Sequence, residues 1–295
     1  MIKSSQKGFY DLNVSASCFT SDKLTNETLK VLHEWGYRTV AVTTKIDTDA
    51  QSGTESKKKK KKGEAREPTE LIPTPFNLEQ LREAAQKLSY EFTFFTRLTL
   101  VFSSQDNLHK YTKSLNYKKY NIIAALPTTV PALSYCCSTL DADIISYDPE
   151  NRFNLRLNRK QYSQLVERGY HFELTYSPAI IDYTKRKNLI HLSHLYHTTG
   201  KSKNIFFSSG AEEPIHLRNA YDIISLGFLF GLNEMQSKNA VSHCPRNVIV
   251  NANGRSHGKT AIMVENMAME MDMSIQILSD EEMDTDEPVQ KKHKQ

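Results

Sequence analysis

The feature that most constrains the fold is a regular alternation of short apolar or β-branched runs with segments whose apolar residues recur at helical spacing. This alternation is typical of βα units around a parallel sheet. Strand-like runs cover residues 9–14, 39–44, 92–102, 122–126, 143–146, 171–174, 204–208 and 248–250. Helices are predicted over residues 24–35, 78–88, 106–116, 131–140, 159–168, 183–199, 220–230 and 233–241. Eight strand-like runs in a chain of this length favour an α/β fold of the (β/α)8 TIM-barrel type over an open sheet.

Two segments interrupt the pattern. Residues 46–70 include six consecutive lysines at 57–62 and almost no large apolar residue, which predicts a disordered, lysine-rich surface insertion. Residues 265–295 hold nine acidic and three basic residues, and we expect an acidic, disordered tail there. The rest of residues 1–264 is predicted to form one barrel domain.

The formal net charge of +4 is unevenly distributed along the chain. The insertion contributes +1 and the tail −6, so the remaining residues carry +9. Such a body is suited to a polyanion, because neutralising phosphates releases condensed counterions. A basic surface that is merely solvated is the alternative interpretation. The lysines at 57–62 and the basic cluster at 291–294 are both candidate nuclear import signals.

Composition also excludes several classes of protein. No apolar run approaches the ~20 residues that span a bilayer, and residues 1–7 lack the apolar stretch of a secretion signal. We therefore expect neither membrane insertion nor secretion. The four cysteines have neither zinc-site spacing nor the density of a disulfide scaffold, which indicates reduced thiols inside a cell.

A barrel enzyme would place its polar groups at the C-terminal ends of the strands. The candidates there are Asp11, Asn13, Thr43, Arg97, Glu173, Ser208 and Ser209. A hydrolytic metal needs about three protein ligands and an open position, and this set contains no histidine. The remaining cluster, His191, His194 and His197, lies along one predicted helix without a carboxylate at matching spacing, which is typical of a polar helical stripe. We predict no catalytic residue and no metal site.

Basic residues offer a different possibility. Arg97 interrupts a predicted strand, where a guanidinium is costly to bury unless it meets a carboxylate, a phosphate or a water-filled barrel mouth. Glu173 and Asp182 are candidate carboxylate partners for such arginines. Other basic residues lie near predicted turns, where they could form one phosphate-binding rim. The predicted RNA-binding residues are Arg97, Arg168, Lys185, Arg186, Lys187, Arg218, Arg246, Arg255 and Lys259.

Several short strings occur in a characteristic order. They are residues 9–14 (FYDLNV), 96–99 (TRLT), 168–169 (RG), 172–174 (FEL), 176–180 (YSPAI) with Asp182, 203–205 (KNI), 208–209 (SS), 211–212 (AE), Pro214, 217–218 (LR), 221–222 (YD) and 229–232 (LFGL). Together, over about residues 8–262, they resemble the family of thirty-kilodalton protein subunits of nuclear ribonuclease P and ribonuclease MRP, which also has archaeal members.

The resemblance implies a barrel related to the metal-dependent PHP-type phosphoesterases. Those enzymes have a histidine-rich first strand, from which residues 11–13 (DLN) depart. The resemblance also implies a non-catalytic, RNA-binding subunit that supports RNA-catalysed removal of the 5′ leader of precursor tRNA, and possible participation in ribosomal RNA processing. A stand-alone metal-dependent barrel phosphoesterase or nuclease is the alternative.

The same resemblance implies specific partners and a location. The partners would be ribonuclease P RNA, precursor tRNA indirectly, the processing-of-precursor protein subunit and other ribonuclease P/MRP proteins. Residues 176–181 and 226–232 are candidate surfaces for the protein partner. No cofactor is expected in the protein itself, since magnesium would reside in the RNA. The expected location is the nucleus, and within it the nucleolus.

Overall fold

The fold is an α/β barrel built from parallel strands that follow one another in chain order. The computed structural model describes residues 8–49, 70–150 and 156–258, all within one compact unit spanning Gln6–Ala261. The described chain contains seven strands: β1 (Phe9–Ser15), β2 (Tyr37–Asp47), β3 (Thr93–Phe102), β4 (Ile122–Pro127), β5 (Ile144–Ile145), β6 (His171–Thr175) and β7 (Ile205–Ser208). Each strand pairs in parallel with the next one along the chain.

The first and last strands approach each other, so the sheet is nearly closed. Val14 of β1 forms a parallel bridge with Ala211, just beyond β7. The amide of Ser15 donates to the Ala211 carbonyl at 2.9 Å, and the amide of Gly210 donates to the Asn13 carbonyl at 2.8 Å. Gly210 has a φ of 62°, in the left-handed region that favours glycine. The predicted barrel class is confirmed.

Helices separate the strands, and several begin at a residue whose side chain caps the first turn. They are α1 (Asp22–Glu34), α2 (Leu78–Lys87), α3 (Gln105–Thr112), α4 (Val130–Ser138), α5 (Arg159–Glu167), α6 (Ser177–Ile181), α7 (Tyr183–Gly200), α8 (Ala220–Leu229), α9 (Glu234–Val241) and α10 (His243–His257). Asn77 caps α2 and Asp182 caps α7, each accepting a backbone N–H with its side chain. Asn158 begins α5 with a reciprocal capping box to Gln161.

The predicted eighth strand at residues 248–250 is wrong, because this segment lies inside α10. Pro245, Val248, Ile249 and Ala252 are buried, and their spacing is that of one helix face. A three-residue apolar run cannot by itself distinguish a strand from a buried helix. The segment 248–250 is therefore helical, and it packs without pairing to the sheet.

Helix α10 lies across the N-terminal ends of the strands. It contacts β1, β4 and β7. The Asn251 side chain donates to the Gly169 carbonyl at 3.0 Å, and Arg255 donates to the Asn121 carbonyl at 3.0 Å. Gly169 and Asn121 precede β6 and β4, so these bonds fix α10 at that end of the barrel.

The core follows from the strand sequences. All six residues of β4 are buried, which is typical of a parallel strand covered on both faces. A larger apolar cluster surrounds β3 to β7, and a smaller one joins β1 and β2 to α1 and α2. Each fully buried Leu or Phe contributes about 1.5–3 kcal/mol relative to an exposed one.

The predicted insertion begins later than residue 46. Ile46 and Asp47 are the last two residues of β2, and Ile46 pairs with Leu100 of β3. Residues 50–69 of the insertion and the predicted tail at 265–295 lie outside the described residues. Within the described ranges, no helix is both long enough and apolar enough to cross a membrane.

Candidate functional site

An ion pair between β3 and β6 fills the centre of the barrel. Arg97 Nη1 donates to Glu173 Oε1 and Nη2 donates to Glu173 Oε2, both at 2.6 Å. Both side chains have 0% exposed surface. Arg97 also donates to the Leu12 carbonyl at 2.9 Å and to Thr99 Oγ1 at 3.2 Å. The guanidinium is therefore held in one geometry by three strands.

Neutral groups complete the environment of Glu173. The hydroxyls of Ser146 and Ser208 each donate to a Glu173 oxygen at 2.6 Å, and the Asn13 amide donates at 3.0 Å. Burial by itself would raise the pKa of Glu173, but the Arg97 guanidinium and these hydroxyls outweigh burial and hold the pKa below its ordinary value. Glu173 is therefore a buried carboxylate whose oxygens are already engaged by protein donors.

Asp11 lies beside this pair and is also buried, with 1% exposed surface. Its Oδ1 accepts from the amides of Asn13 and Ser209, each at 3.1 Å. Its Oδ2 has no hydrogen-bond partner among the residues that the structure describes. Burial raises the pKa of Asp11, and the nearby Glu173 charge adds to that rise.

The donor set at this position does not fit a divalent metal. Both oxygens of Glu173 already bind the guanidinium, and a cation there would face the positive charge of Arg97 at close range. The remaining groups are one carboxylate oxygen of Asp11, an amide and hydroxyls, which suit magnesium only with additional carboxylates. Within the described residues, no three His, Cys, Asp or Glu side chains are grouped to hold a metal ion.

A cavity of about 590 Å3 opens at the C-terminal ends of the strands, above the ion pair. Its charged lining, apart from Arg97, consists of Lys45, Asp47, Asp148, Glu150, Lys185 and Glu212. Four of these six side chains are acidic, and the charge of Arg97 is balanced by Glu173. The described lining of this cavity is therefore net acidic, which disfavours a phosphate group inside it.

The structure removes Arg97 from the set of predicted RNA contacts. Its guanidinium has no exposed surface and binds groups inside the barrel. Of the three environments that the sequence left open for this arginine, the structure supplies the carboxylate. Glu173 is thus the structural partner, as the sequence proposed for it.

Arg168 and Arg255 hold the N-terminal end of the barrel together. Arg168 donates to the carbonyls of Cys136 and Leu140, both at 2.6 Å, at the C-terminal end of α4. Arg255 forms a bidentate ion pair with Asp143, with both distances at 3.0 Å, and its side chain is 13% exposed. Both guanidinium groups are therefore engaged mainly in structural contacts.

Lys185, Arg186 and Lys187 lie in the first turns of α7, near the acidic cavity. Lys185 Nζ forms an ion pair with Glu150 at 3.0 Å. Arg186 Nε donates to the Ala179 carbonyl at 2.7 Å, which ties α7 to α6. Lys187 is exposed. Asp182, the other proposed acidic partner, caps the α7 amide of Lys185 and forms no arginine pair in the described chain.

The other predicted contacts are dispersed. Arg218 donates to the carbonyls of Ile215 and Leu217 and is partly buried, as is Arg246 on α10. Lys259 lies outside the described residues. The predicted single basic rim is wrong, because Arg168 and Arg255 lie at the N-terminal end of the strands whereas α7 begins at the C-terminal end.

Two surface features of the structure are not predicted, or are predicted only in part, from the sequence. The exposed lysines at 110, 113, 118 and 119 are not among the predicted RNA contacts. A sequence signal was present, since no acidic residue occurs between Asp106 and Asp141. Helix α8 exposes Tyr221, Phe228 and Leu229, which overlaps the predicted partner surface at 226–232.

The family that the sequence matches, and its mouse and yeast relatives, are ribonuclease P protein subunits. The sequence matches the family described as RNase P subunit p30 over residues 8–257. It is 34% identical over 177 residues to the mouse ribonuclease P protein subunit p30, covering 59% of this chain and 63% of that protein. It is 25% identical over 173 residues to the Saccharomyces cerevisiae ribonuclease P/MRP protein subunit RPP1, covering 57% of each. The chain therefore spans less than two thirds of both relatives.

Among solved structures, the chain is similar to one in a cryo-EM structure of archaeal ribonuclease P with mature tRNA. The TM-score is 0.58 at 15% identity, and the match covers 83% of this chain and 95% of that one. This similarity supports the barrel fold independently of the sequence match. With the family match extending across nearly all of the described residues, the chain belongs to the RNase P subunit p30 family.

Proposed function

We propose that this chain is a non-catalytic, RNA-binding protein subunit of ribonuclease P and of ribonuclease MRP. In this role it supports removal of the 5′ leader of precursor tRNA by a catalytic RNA, together with ribosomal RNA processing. The magnesium ions of the reaction would be held by the RNA. The complex would reside in the nucleus, and within it the nucleolus.

One observation carries the non-catalytic part of this proposal. Arg97 and Glu173 occupy the centre of the barrel and satisfy each other, with Ser146, Ser208 and Asn13 completing the network. A general acid or base must be within hydrogen-bond reach of a substrate proton. Glu173 is fully buried and its oxygens are already engaged, so it offers no such group to a substrate.

Family membership supports the ribonucleoprotein part. The mouse relative is a ribonuclease P subunit and the yeast relative is a ribonuclease P/MRP subunit. A net charge of +9 outside the insertion and tail suits a protein that neutralises RNA phosphates and steadies an RNA fold.

The protein partner would dock on α8. This helix packs its Ala220, Ile223 and Gly227 side inward and leaves Tyr221 67%, Phe228 58% and Leu229 53% exposed. Exposed aromatic side chains in one patch are typical of protein interfaces. We define Tyr221, Phe228 and Leu229 as the apolar face of α8 and assign it to the processing-of-precursor subunit. The other candidate surface, 176–181, contains buried Ser177 and Ala179 and exposes Ile181.

Purification from the cells of origin tests the proposal. The tagged protein is isolated with its bound molecules, and leader removal from precursor tRNA is measured before and after nuclease digestion of the co-purifying RNA. The control sample receives nuclease that was inactivated beforehand. We expect a structured RNA to co-purify and cleavage to disappear only in the digested sample.

The alternative, a stand-alone metal-dependent phosphoesterase or nuclease, predicts the opposite. Cleavage that survives RNA digestion, or recombinant protein that hydrolyses a generic phosphodiester when metal is added, would overturn the proposal. Abundant complex without any bound RNA would overturn it as well.

A further inference from the structure

A group of exposed lysines lies on the surface formed by α3 and the turn before β4. We define the lysine face as Lys110, Lys113, Lys118 and Lys119, all of which are exposed. Lys110 belongs to α3, and Lys118 and Lys119 belong to the short 3-10 helix Tyr117–Lys119. Four lysines therefore occur within ten residues on one ordered stretch of chain.

The backbone beneath the lysine face is fixed by buried side chains. Asn116 is 5% exposed and donates to the Ile72 carbonyl at 2.8 Å. The Tyr120 hydroxyl donates to the Pro73 carbonyl at 3.1 Å, and the Tyr117 hydroxyl donates to the Asp141 carbonyl at 3.2 Å. The lysine stems thus project from a rigid base, which lowers the entropy lost when a ligand binds their ammonium groups.

The positive charge of this face is not neutralised locally. Lys110, Lys113 and Lys118 form no ion pair with any carboxylate that the structure describes, and Lys119 Nζ donates to the amide oxygen of Asn116 at 2.8 Å. Among nearby acids, Glu70 accepts from Ser114 at 2.6 Å. The sequence from 107 to 140 contains no Asp or Glu.

The lysine face and the cavity at the C-terminal ends of the strands differ in how far their positive charges are neutralised. The cavity at the C-terminal ends of the strands has four carboxylates against two lysines, and Lys185 there is paired with Glu150. The described lining of that cavity therefore disfavours a polyanion. The lysine face instead presents uncompensated point charges, which bind phosphate oxygens without reading base sequence.

We propose that the lysine face binds the sugar–phosphate backbone of a structured RNA and that it is a principal RNA contact of this chain. The inference rests on the proposed function, since it names the surface by which the subunit would hold the RNA. It replaces the basic rim expected from the sequence, most of whose arginines make structural contacts in the barrel.

The test compares two variants of equal charge. In the first, Lys110, Lys113, Lys118 and Lys119 are all changed to Gln; in the second, the exposed lysines Lys23, Lys30, Lys87 and Lys160 are changed to Gln. The probe is the ribonuclease P RNA of the same cells, transcribed in vitro, and its Kd for the full chain is measured between about 50 and 200 mM salt. Circular dichroism and the Tm establish that both variants fold.

We expect the lysine-face variant to bind about tenfold or more weakly at ~100 mM salt and to lose about three from the slope of log K against log salt, whereas the control variant loses less than about one. Equal Kd and slope for the two variants, with tight binding by the wild type, would overturn the lysine face while leaving the proposed function intact. A wild type that does not bind the RNA would overturn both. Unchanged RNA binding together with loss of a co-purifying protein would assign the face to an acidic protein and overturn the inference.

Discussion

Arg97 on β3 and Glu173 on β6 join inside the barrel through two hydrogen bonds of 2.6 Å, although 76 residues separate them in sequence. Neither side chain has exposed surface. The pair links the two halves of the barrel in its interior. Because the pair is buried, removal of one partner leaves an uncompensated charge inside the barrel.

Breaking the pair from one side should destabilise the fold strongly. Arg97→Met leaves the Glu173 carboxylate buried and uncompensated, and Glu173→Gln leaves the guanidinium of Arg97 in the same condition. We expect each to lower the unfolding free energy by about 3–5 kcal/mol. The double variant should lose clearly less than the sum, because it buries no unpaired charge. Urea unfolding measures all three.

A matched control for that series is Lys238→Met, which breaks the exposed ion pair with Glu234. Its unfolding midpoint should equal that of the wild type, because solvent screens the pair. Strictly additive losses in the double variant would contradict a coupled Arg97–Glu173 unit.

Acid should weaken the fold through His171. Burial lowers the pKa of His171 to about 4, although its ring nitrogen lies 3.2 Å from the Gly169 carbonyl. The unfolded chain binds this proton near pH 6.5, so stability is full above about pH 6.5 and is lost as the pH falls from there towards 4. The loss amounts to at most about 3 kcal/mol.

The variant His171→Gln tests this assignment, because it removes the titration. Its unfolding free energy should fall less than that of the wild type between about pH 7 and pH 4.5. The exposed His109→Gln serves as the control and should follow the wild-type curve. If His171→Gln also follows the wild-type curve, the buried neutral histidine is not the source of acid sensitivity.

Gly227 should be required where α8 crosses α9. A β-carbon at this position would collide with the Ser237 hydroxyl and lie 2.7 Å from its Cβ. Gly227→Ala should therefore destabilise the chain by about 1–3 kcal/mol, since the two helices must separate. Ser237→Gly should restore much of that loss in the double variant. An unchanged Tm for Gly227→Ala would show that α8 and α9 do not cross this closely.

The apolar face of α8 should hold a protein partner and not the RNA. Phe228→Asp with Leu229→Asp places charges on exposed positions, so the Tm should change little, whereas the partner protein should no longer co-purify. Val130→Asp, at an exposed position at the start of α4 and outside both proposed surfaces, is the control and should retain the partner. Normal co-purification with the Phe228 and Leu229 changes would exclude this face as the interface.

Much of the barrel could be predicted from the sequence, because parallel strands buried on both faces form continuous apolar runs, as in β4. The segment 248–250 is the exception, because a three-residue apolar run fits both a strand and a helix, and only the spacing of the buried residues from Pro245 to Ala252 distinguishes the helix. The local pattern does not show that this segment forms the helix that lies across the N-terminal ends of the strands, because that position depends on the topology of the barrel.

The candidate site was predicted only in part, and for a different reason. The sequence required a partner for Arg97 but could not select Glu173 among the alternatives, because the pairing depends on strands that meet only in the closed barrel. Their positions near turns predict that Arg168 and Arg255 are surface charges, whereas the structure shows them bound to carbonyls and a carboxylate of neighbouring elements. Proximity to a turn does not show where a long side chain ends.

The most direct test of the central claim is leader cleavage by complexes that contain the double variant Arg97→Met with Glu173→Gln. This variant removes both charges, while the amide group at position 173 can still bond both serines, because its oxygen accepts from one hydroxyl and its nitrogen donates to the other. Complexes are purified from the cells of origin, and the rate of precursor-tRNA cleavage is normalised to the amount of assembled subunit. If the barrel centre is structural, the rate stays within about twofold of the wild type. A fall of about 100-fold or more in fully assembled complexes, as expected when a catalytic acid or base is removed, would contradict it.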